Sequence, residues 1–172
     1  MSGAELRHIH GYLWSGSKQR FDQDALRRPP HPEPPPAARS DDVAGQRLVE
    51  RYREAAAEFP VADLPPISTA HWLLKRSGLI RDTWSEPEGA AGWLGERLAE
   101  YAPRFAAVDE RAAPRLARLV DSAADRLGRG GDVSLGFYLE RPAFLSVALV
   151  ICLRAGDRPE DRCPDRTSPG RG

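Results

Sequence analysis

The chain has 172 residues, enough for one domain with a substantial apolar core, and its 25 basic side chains balance 25 acidic ones. This balance argues against a global attraction to nucleic acid or to an anionic membrane. The longest uncharged apolar run, residues 143–153, is shorter than the ~20 residues that a membrane-spanning helix requires. We therefore expect a soluble, cytoplasmic protein with no membrane partner.

The first two segments precede the expected folded body. Residues 1–28 carry a weak helical stripe, too short to be stable alone, so we expect this amphipathic segment to dock on the body. Residues 29–40 form a proline-rich spacer, with six prolines between Pro29 and Pro36. A polyproline segment can also be a ligand for an aromatic groove on another protein, which is the alternative to a spacer.

Residues 41–156 are the predicted folded domain. Its first helix begins at Asp41 or Asp42, either of which can accept a capping hydrogen bond, and it ends before Pro60. The apolar spacing predicts that one face of this helix points inward and consists of Leu48, Tyr52, Ala55 and Phe59.

Three further helices follow in the domain. A short one begins at Ser68 or Thr69. A capping box at residues 85–88, with Pro87 in the first turn, predicts the next helix, which runs to about Tyr101. Residues 111–131 show the last helical stripe, made by Leu116, Leu119, Val120, Ala123 and Leu127.

The last apolar block, Val133 to Leu153, alternates with a period of two and predicts a β-hairpin. The alternative is a helix that begins at Pro142. Residues 157–172 are rich in Pro, Arg, Asp and Gly and predict a disordered tail. The fold class we expect is α+β, mainly helical with four to five helices, and with a C-terminal hairpin whose open edge needs a partner.

Histidine and cysteine side chains do not predict a metal site in this reading. His8 and His10 would point the same way only on a strand, whereas their segment has a helical stripe. Cys152 lies in the apolar block and Cys163 in the polar tail, and a disulfide between them is not the favoured interpretation. We therefore expect neither a metal nor a cofactor, and we identify no catalytic residue.

A winged-helix DNA-binding protein has the same order of helices and hairpin, so local charge has to decide. Residues 84–110 carry six acids and two bases, which argues against a recognition helix there. Residues 111–131 carry five bases and two acids, so any nucleic-acid contact would fall on this helix, at Arg115 and Arg118.

Tryptophans supply the remaining candidates for partner contacts. Three of the four, Trp72, Trp84 and Trp93, fall close together in sequence, and tryptophan dominates interface hot spots. We expect Trp93 in the core, Trp84 exposed in a loop as the best contact candidate, and Trp72 as a second contact.

The function expected from the sequence is a non-catalytic protein-interaction or regulatory module that binds a protein partner or itself. The first alternative is an enzyme or small-ligand-binding protein whose site is assembled from scattered residues. The second is the winged-helix regulator.

Overall fold

An antiparallel sheet lies at the centre of the molecule, which the computed structural model describes for residues 7–153 and for Cys163. Its four strands are β1 (Arg7–Ser17), β2 (Asp82–Trp84), β3 (Val133–Tyr138) and β4 (Ala143–Leu153). They lie in the order β2-β1-β4-β3, so β1 and β4 form the middle of the sheet. These two strands pair along their whole length, from Arg7 opposite Leu153 to Ser17 opposite Ala143.

The expected fold class is therefore wrong, because the sheet has four strands and includes the N-terminal segment as well as the C-terminal hairpin. Residues 7–17 are a strand and not a helix. A central strand that is covered on both faces shows no alternation of polar and apolar residues. Here Ile9 and Leu13 face one way and Tyr12 and Trp14 face the other, so the stripe resembled that of a helix.

The hairpin prediction at the C-terminal end is confirmed. Strands β3 and β4 pair antiparallel from Val133 opposite Leu149 to Tyr138 opposite Phe144, and no part of residues 143–153 is helical. Because β4 also pairs with β1, the hairpin is built into the sheet and does not project from the body as a wing.

Four α-helices occur in the described part of the chain. They are α1 (Lys18–Phe21), α2 (Val43–Glu58), α3 (Pro87–Tyr101) and α4 (Ala113–Gly128). Short 3-10 helices cover Asp24–Arg27, Thr69–Leu74, Ser77–Leu79, Ala102–Arg104 and Val108–Arg111. The start of α3 corrects one detail of the capping prediction: Glu86 is the N-cap and makes no side-chain capping bond, while Pro87 occupies the first turn as expected.

Helices α3 and α4 cover one face of the sheet, which we call the helical face. Its core is apolar throughout and brings Leu94 and Leu98 of α3 and Leu127 of α4 against the inward side chains of three strands. Phe105, fully buried after α3, stacks on Phe137 of β3 with ring centroids 4.4 Å apart. Dense packing of this kind accounts for most of a domain's stability.

The opposite face, which we call the loop face, is covered by residues 59–80, a segment with 3-10 turns and no α-helix. Trp72 stacks on Tyr12 of β1 with ring centroids 4.5 Å apart. Lys75 is 2% exposed, and its Nζ donates to the carbonyl oxygens of Phe59 and Ala62, each at 2.8 Å. This lysine ties the segment to the end of α2.

Helix α2 packs less than its sequence predicts. Asp42 caps it as expected, by accepting a hydrogen bond from the Gly45 amide. Leu48, predicted to point inward, is 60% exposed, and none of the residues of α2 is buried.

Residues 29–40, the predicted spacer, contain no helix or strand. The predicted disordered tail, residues 157–172, lies outside the described residues apart from Cys163.

Candidate metal centre

Strand β1 brings two imidazoles to one side of the sheet. Because side chains alternate along a strand, His8 and His10 both point to the loop face. His8 lies opposite Cys152 of β4, and His10 lies opposite Thr83 of β2, so these four side chains share one end of that face. His10 is fully buried and Cys152 is 1% exposed.

Cys163 adds a thiol to the two imidazoles. Its Sγ lies 3.2 Å from Nε2 of His10 and 3.8 Å from Nδ1 of His8. The ligating atoms of the three residues all lie within 4.8 Å of one another. Among residues 7–153 and Cys163, this is the group of histidine, cysteine and carboxylate side chains that has the spacing of metal ligands.

These distances match those around a tetrahedral ion. Zinc binds imidazole nitrogen and thiolate sulfur at ~2.0–2.3 Å, which separates neighbouring ligand atoms by roughly 3.3–3.8 Å. The two nitrogen-to-sulfur distances are 3.2 Å, just below that interval, and 3.8 Å, at its upper end, and all three ligand atoms lie within 4.8 Å of one another. An ion therefore fits between the three side chains with small adjustments.

Thr83 orients one of the imidazoles. Its Oγ1 lies 2.8 Å from Nδ1 of His10. With the ring proton on Nδ1, His10 donates to this hydroxyl and directs the lone pair of Nε2 toward Cys163. A hydrogen bond from the second ring nitrogen is the usual way in which proteins fix a metal-binding histidine.

The chemistry of Cys152 is governed by its neighbours. Burial, with the Cys163 thiol beside it, raises the pKa of Cys152 to about 12. Its free thiol therefore stays protonated and unreactive at neutral pH. A divalent cation reverses this preference, because metal coordination deprotonates a thiol.

Next to the cluster, aromatic and aliphatic side chains close the loop face. Tyr12 and Trp72 stack there with Val150 and Ala148 of β4, all of them buried. An apolar shell excludes water and strengthens the attraction between a cation and its ligands.

The predicted contact residues lie elsewhere. Trp84, expected to be exposed in a loop, is half-buried in β2 and packs against Trp93, with ring centroids 5.4 Å apart. Trp72 is 4% exposed and belongs to the core, so its ring is not presented to a partner. The predicted exposure of Trp84 is wrong because the sequence does not show the sheet that it belongs to, and the partner contacts of both tryptophans stay a prediction.

The two arginines of α4 that were predicted as contact residues, Arg115 and Arg118, are exposed. Arg115 lies 3.8 Å from Glu110, and Arg118 is on the solvent side of the helix. Their role in nucleic-acid contact stays a prediction. They lie on the helical-face side of the molecule and are not part of the histidine and cysteine cluster.

Two clefts offer no comparable chemistry. One, of about 340 Å³, lies between α2 and the Asp24–Arg27 turn. The other, of about 520 Å³, lies beside β3 and includes Ser134 and Asp132, but neither histidine nor lysine lines it. Asp132 accepts a hydrogen bond from the Ile151 amide at 2.8 Å, so this carboxylate is already used to order the sheet.

Sequence reasoning named the condition for this site and then rejected it. The spacing of His8 and His10 required a strand, and the strand was missed for the reason given above. The position of Cys163 could not be inferred, because nothing in a polar tail predicts that one of its side chains meets the sheet.

Comparison with protein-family models, curated proteins and solved structures found no match. In the part of the chain that the structure describes, no helix has the length and apolarity needed to cross a membrane.

Proposed function

We propose that this protein is a small, non-catalytic regulatory or interaction module built around a site for one thiophilic divalent metal ion. The observation that carries the proposal is the approach of three ligand atoms, from His8, His10 and Cys163, to within 4.8 Å of one another. Imidazole together with thiolate favours zinc over calcium and magnesium, which prefer oxygen ligands.

Burial supports a structural role for the ion. His10 is fully buried and Cys163 is 8% exposed. A catalytic zinc keeps one position open to water and substrate, whereas a structural zinc is enclosed by its protein ligands. An ion held here joins Cys163 to the end of β1, and it would therefore stabilise the folded chain.

An enzyme is the second candidate. The observation that favours it is the number of ligands in the cluster: three, which is the number that catalytic zinc sites use. In that case the fourth position would hold a water molecule, and the site would have to be reached from solvent.

We also propose that the module acts through a protein partner or a second copy of itself, in a reducing, cytoplasmic compartment. The edge strand β3 supports a protein contact, since Tyr138 on it is 58% exposed. The Ala106 amide donates to the Tyr138 carbonyl oxygen, and Val108, two residues further along the chain, is 71% exposed. Free thiols support the compartment, because oxidising compartments convert paired cysteines to disulfides.

The test of the metal site is a zinc titration of the full chain, stripped of metal and kept reduced. Calorimetry and elemental analysis should give one ion per chain. The variants His10→Ala and Cys163→Ser should lose the ion, and circular dichroism would check that both remain folded.

His31→Ala is the matched control, because His31 lies in the proline-rich stretch and outside the cluster. This variant should bind zinc as the wild type does. Absence of zinc from the wild-type chain, or undiminished binding by Cys163→Ser, would overturn the proposal.

The protein contact is tested by light scattering and hydrogen exchange at rising concentration. Association of the chain, or complex formation with a captured protein, should protect the amides of β3. A chain that stays monomeric and whose β3 amides are unprotected in every complex recovered contradicts this part of the proposal.

A further inference from the structure

We infer that Cys152 is the fourth ligand of the metal, so that the site is a closed centre of two histidines and two cysteines. The inference rests on the proposed function and determines which of its two forms, structural or catalytic, applies. It assigns a role to a buried thiol that the three-residue cluster leaves out.

The register of the sheet is the first argument. Cys152 is the direct cross-strand neighbour of His8 in the pairing of β1 with β4. Residues directly opposite each other in an antiparallel pair have their Cβ atoms about 4.5–5.5 Å apart and point to the same face. The Cys152 side chain therefore emerges beside one proposed ligand, on the face that carries the other two.

The second argument is that the Cys152 thiol lies near enough to the Cys163 thiol for the two to affect each other's ionisation. Cys152 interacts with Cys163, whose Sγ is also the atom that approaches both imidazoles. Cys163 thus interacts with Cys152 as well as with both imidazoles. A rotation about χ1 between staggered wells moves a cysteine sulfur by up to about 3 Å, which is enough to bring Cys152 into the same coordination sphere.

The third argument concerns what the site lacks when only three ligands bind. Zinc in a structural site takes four ligands in a tetrahedron. Cys152 is 1% exposed, and the stacked pair of Tyr12 and Trp72 lies nearby on the same face. A buried thiolate is thus the ligand at hand for the fourth position, where a catalytic site would admit water.

Cobalt substitution tests the inference, because Co²⁺ replaces zinc in tetrahedral sites and its charge-transfer absorption reports bound thiolates. The chain contains two cysteines in total, so the count of thiolates has a simple reading. We expect a tetrahedral spectrum with two thiolates in the wild type. In Cys152→Ser the charge-transfer band should fall to roughly half, and the dissociation constant for zinc should rise by at least about 100-fold.

X-ray absorption on the wild-type zinc complex gives an independent count that needs no variant. Two sulfur and two nitrogen neighbours support the inference, and His31→Ala should give the same count. One sulfur with an oxygen neighbour, or a Cys152→Ser spectrum unchanged from the wild type, would overturn the assignment of Cys152 while leaving the metal site in place. A chain that binds neither cobalt nor zinc would overturn the metal site itself.

Discussion

The two faces of the sheet are closed in different ways. On the helical face, two amphipathic helices place leucine and alanine side chains against the strands, and the buried core residues that the structure describes there are apolar. On the loop face, a segment without α-helix covers the same strands. Polar groups are buried on or beside that face, among them His10, Lys75 and Ser146.

This difference shows what a cover without helices requires. An α-helix satisfies its own backbone hydrogen bonds and presents a continuous apolar stripe. An irregular segment leaves carbonyl groups unpaired, so it needs side-chain donors such as Lys75. The cluster of His8, His10 and Cys163 lies where this cover meets the end of β1. We expect the helical face to depend on packing, and the loop face to depend on polar contacts and on metal.

The largest effect should come from the helical face. Phe105→Ala removes a fully buried ring that stacks on Phe137 and should lower the free energy of unfolding by about 3–5 kcal/mol. Urea denaturation measures this loss, which should be the same with and without zinc. Val108→Ala, at a side chain 71% exposed, is the control and should change stability by less than about 0.5 kcal/mol.

Metal should act on the loop face. Zinc at 100 times its dissociation constant should stabilise the wild-type chain by about 2.7 kcal/mol, because it binds the folded state. A chelator should reverse the gain, and Cys163→Ser should abolish it. If zinc stabilised Cys163→Ser as much as the wild type, the loop face would not contain the ion.

Lys75 should make the stability of the loop face depend on pH in the alkaline range. Burial lowers the pKa of Lys75 from 10.5 to about 8. Between these values the unfolded chain holds the proton that the folded chain has lost, so the free energy of unfolding rises with pH. The rise should be about 1–3 kcal/mol.

The measurement for Lys75 is urea denaturation from pH 7.5 to 10.5 on the wild type and on Lys75→Met. Subtracting the two curves removes the contribution of Cys152, whose raised pKa makes stability fall with rising pH above the ordinary thiol range. Parallel curves would mean that Lys75 titrates normally in the folded chain.

The smallest effect should come from outside both faces. Leu48 of α2 is 60% exposed, so Leu48→Ala should change the free energy of unfolding by less than about 0.5 kcal/mol. A loss above 2 kcal/mol would show that α2 is buried in solution, for example against a second copy of the chain. Thermal denaturation at two protein concentrations distinguishes these cases.

Several patterns that depend on neighbours in sequence predicted well, although the inward face of α2 and the side-chain cap of α3 were wrong. Asp42 caps α2, Pro87 begins α3, and alternation from Val133 to Leu153 gave the hairpin. Patterns that depend on distant partners did not. Residues 7–17 could be recognised as a strand only with knowledge that both of its faces are covered.

The prediction of the metal site failed for the same reason. His8 and His10 become ligands together only on that strand, and Cys163 joins them from far along the chain. Trp84 was predicted to be exposed because Asp82–Trp84 is too short a strand to show a period. Features that depend on long-range strand pairing therefore could not be predicted from the local sequence.

The pairing of β1 with β4 also means that β1 is synthesised long before its main partner strand. Of the paired residues of β1 and β4, Ser17 and Ala143 are the nearest to each other in sequence, and 126 positions separate them. At a translation rate of about 5–20 residues per second, β4 is synthesised roughly 6–25 s after β1. During this interval the aromatic and aliphatic side chains of β1 are available to chaperones and to other nascent chains. Slower translation between the two strands should therefore raise the fraction of protein that is lost to aggregation.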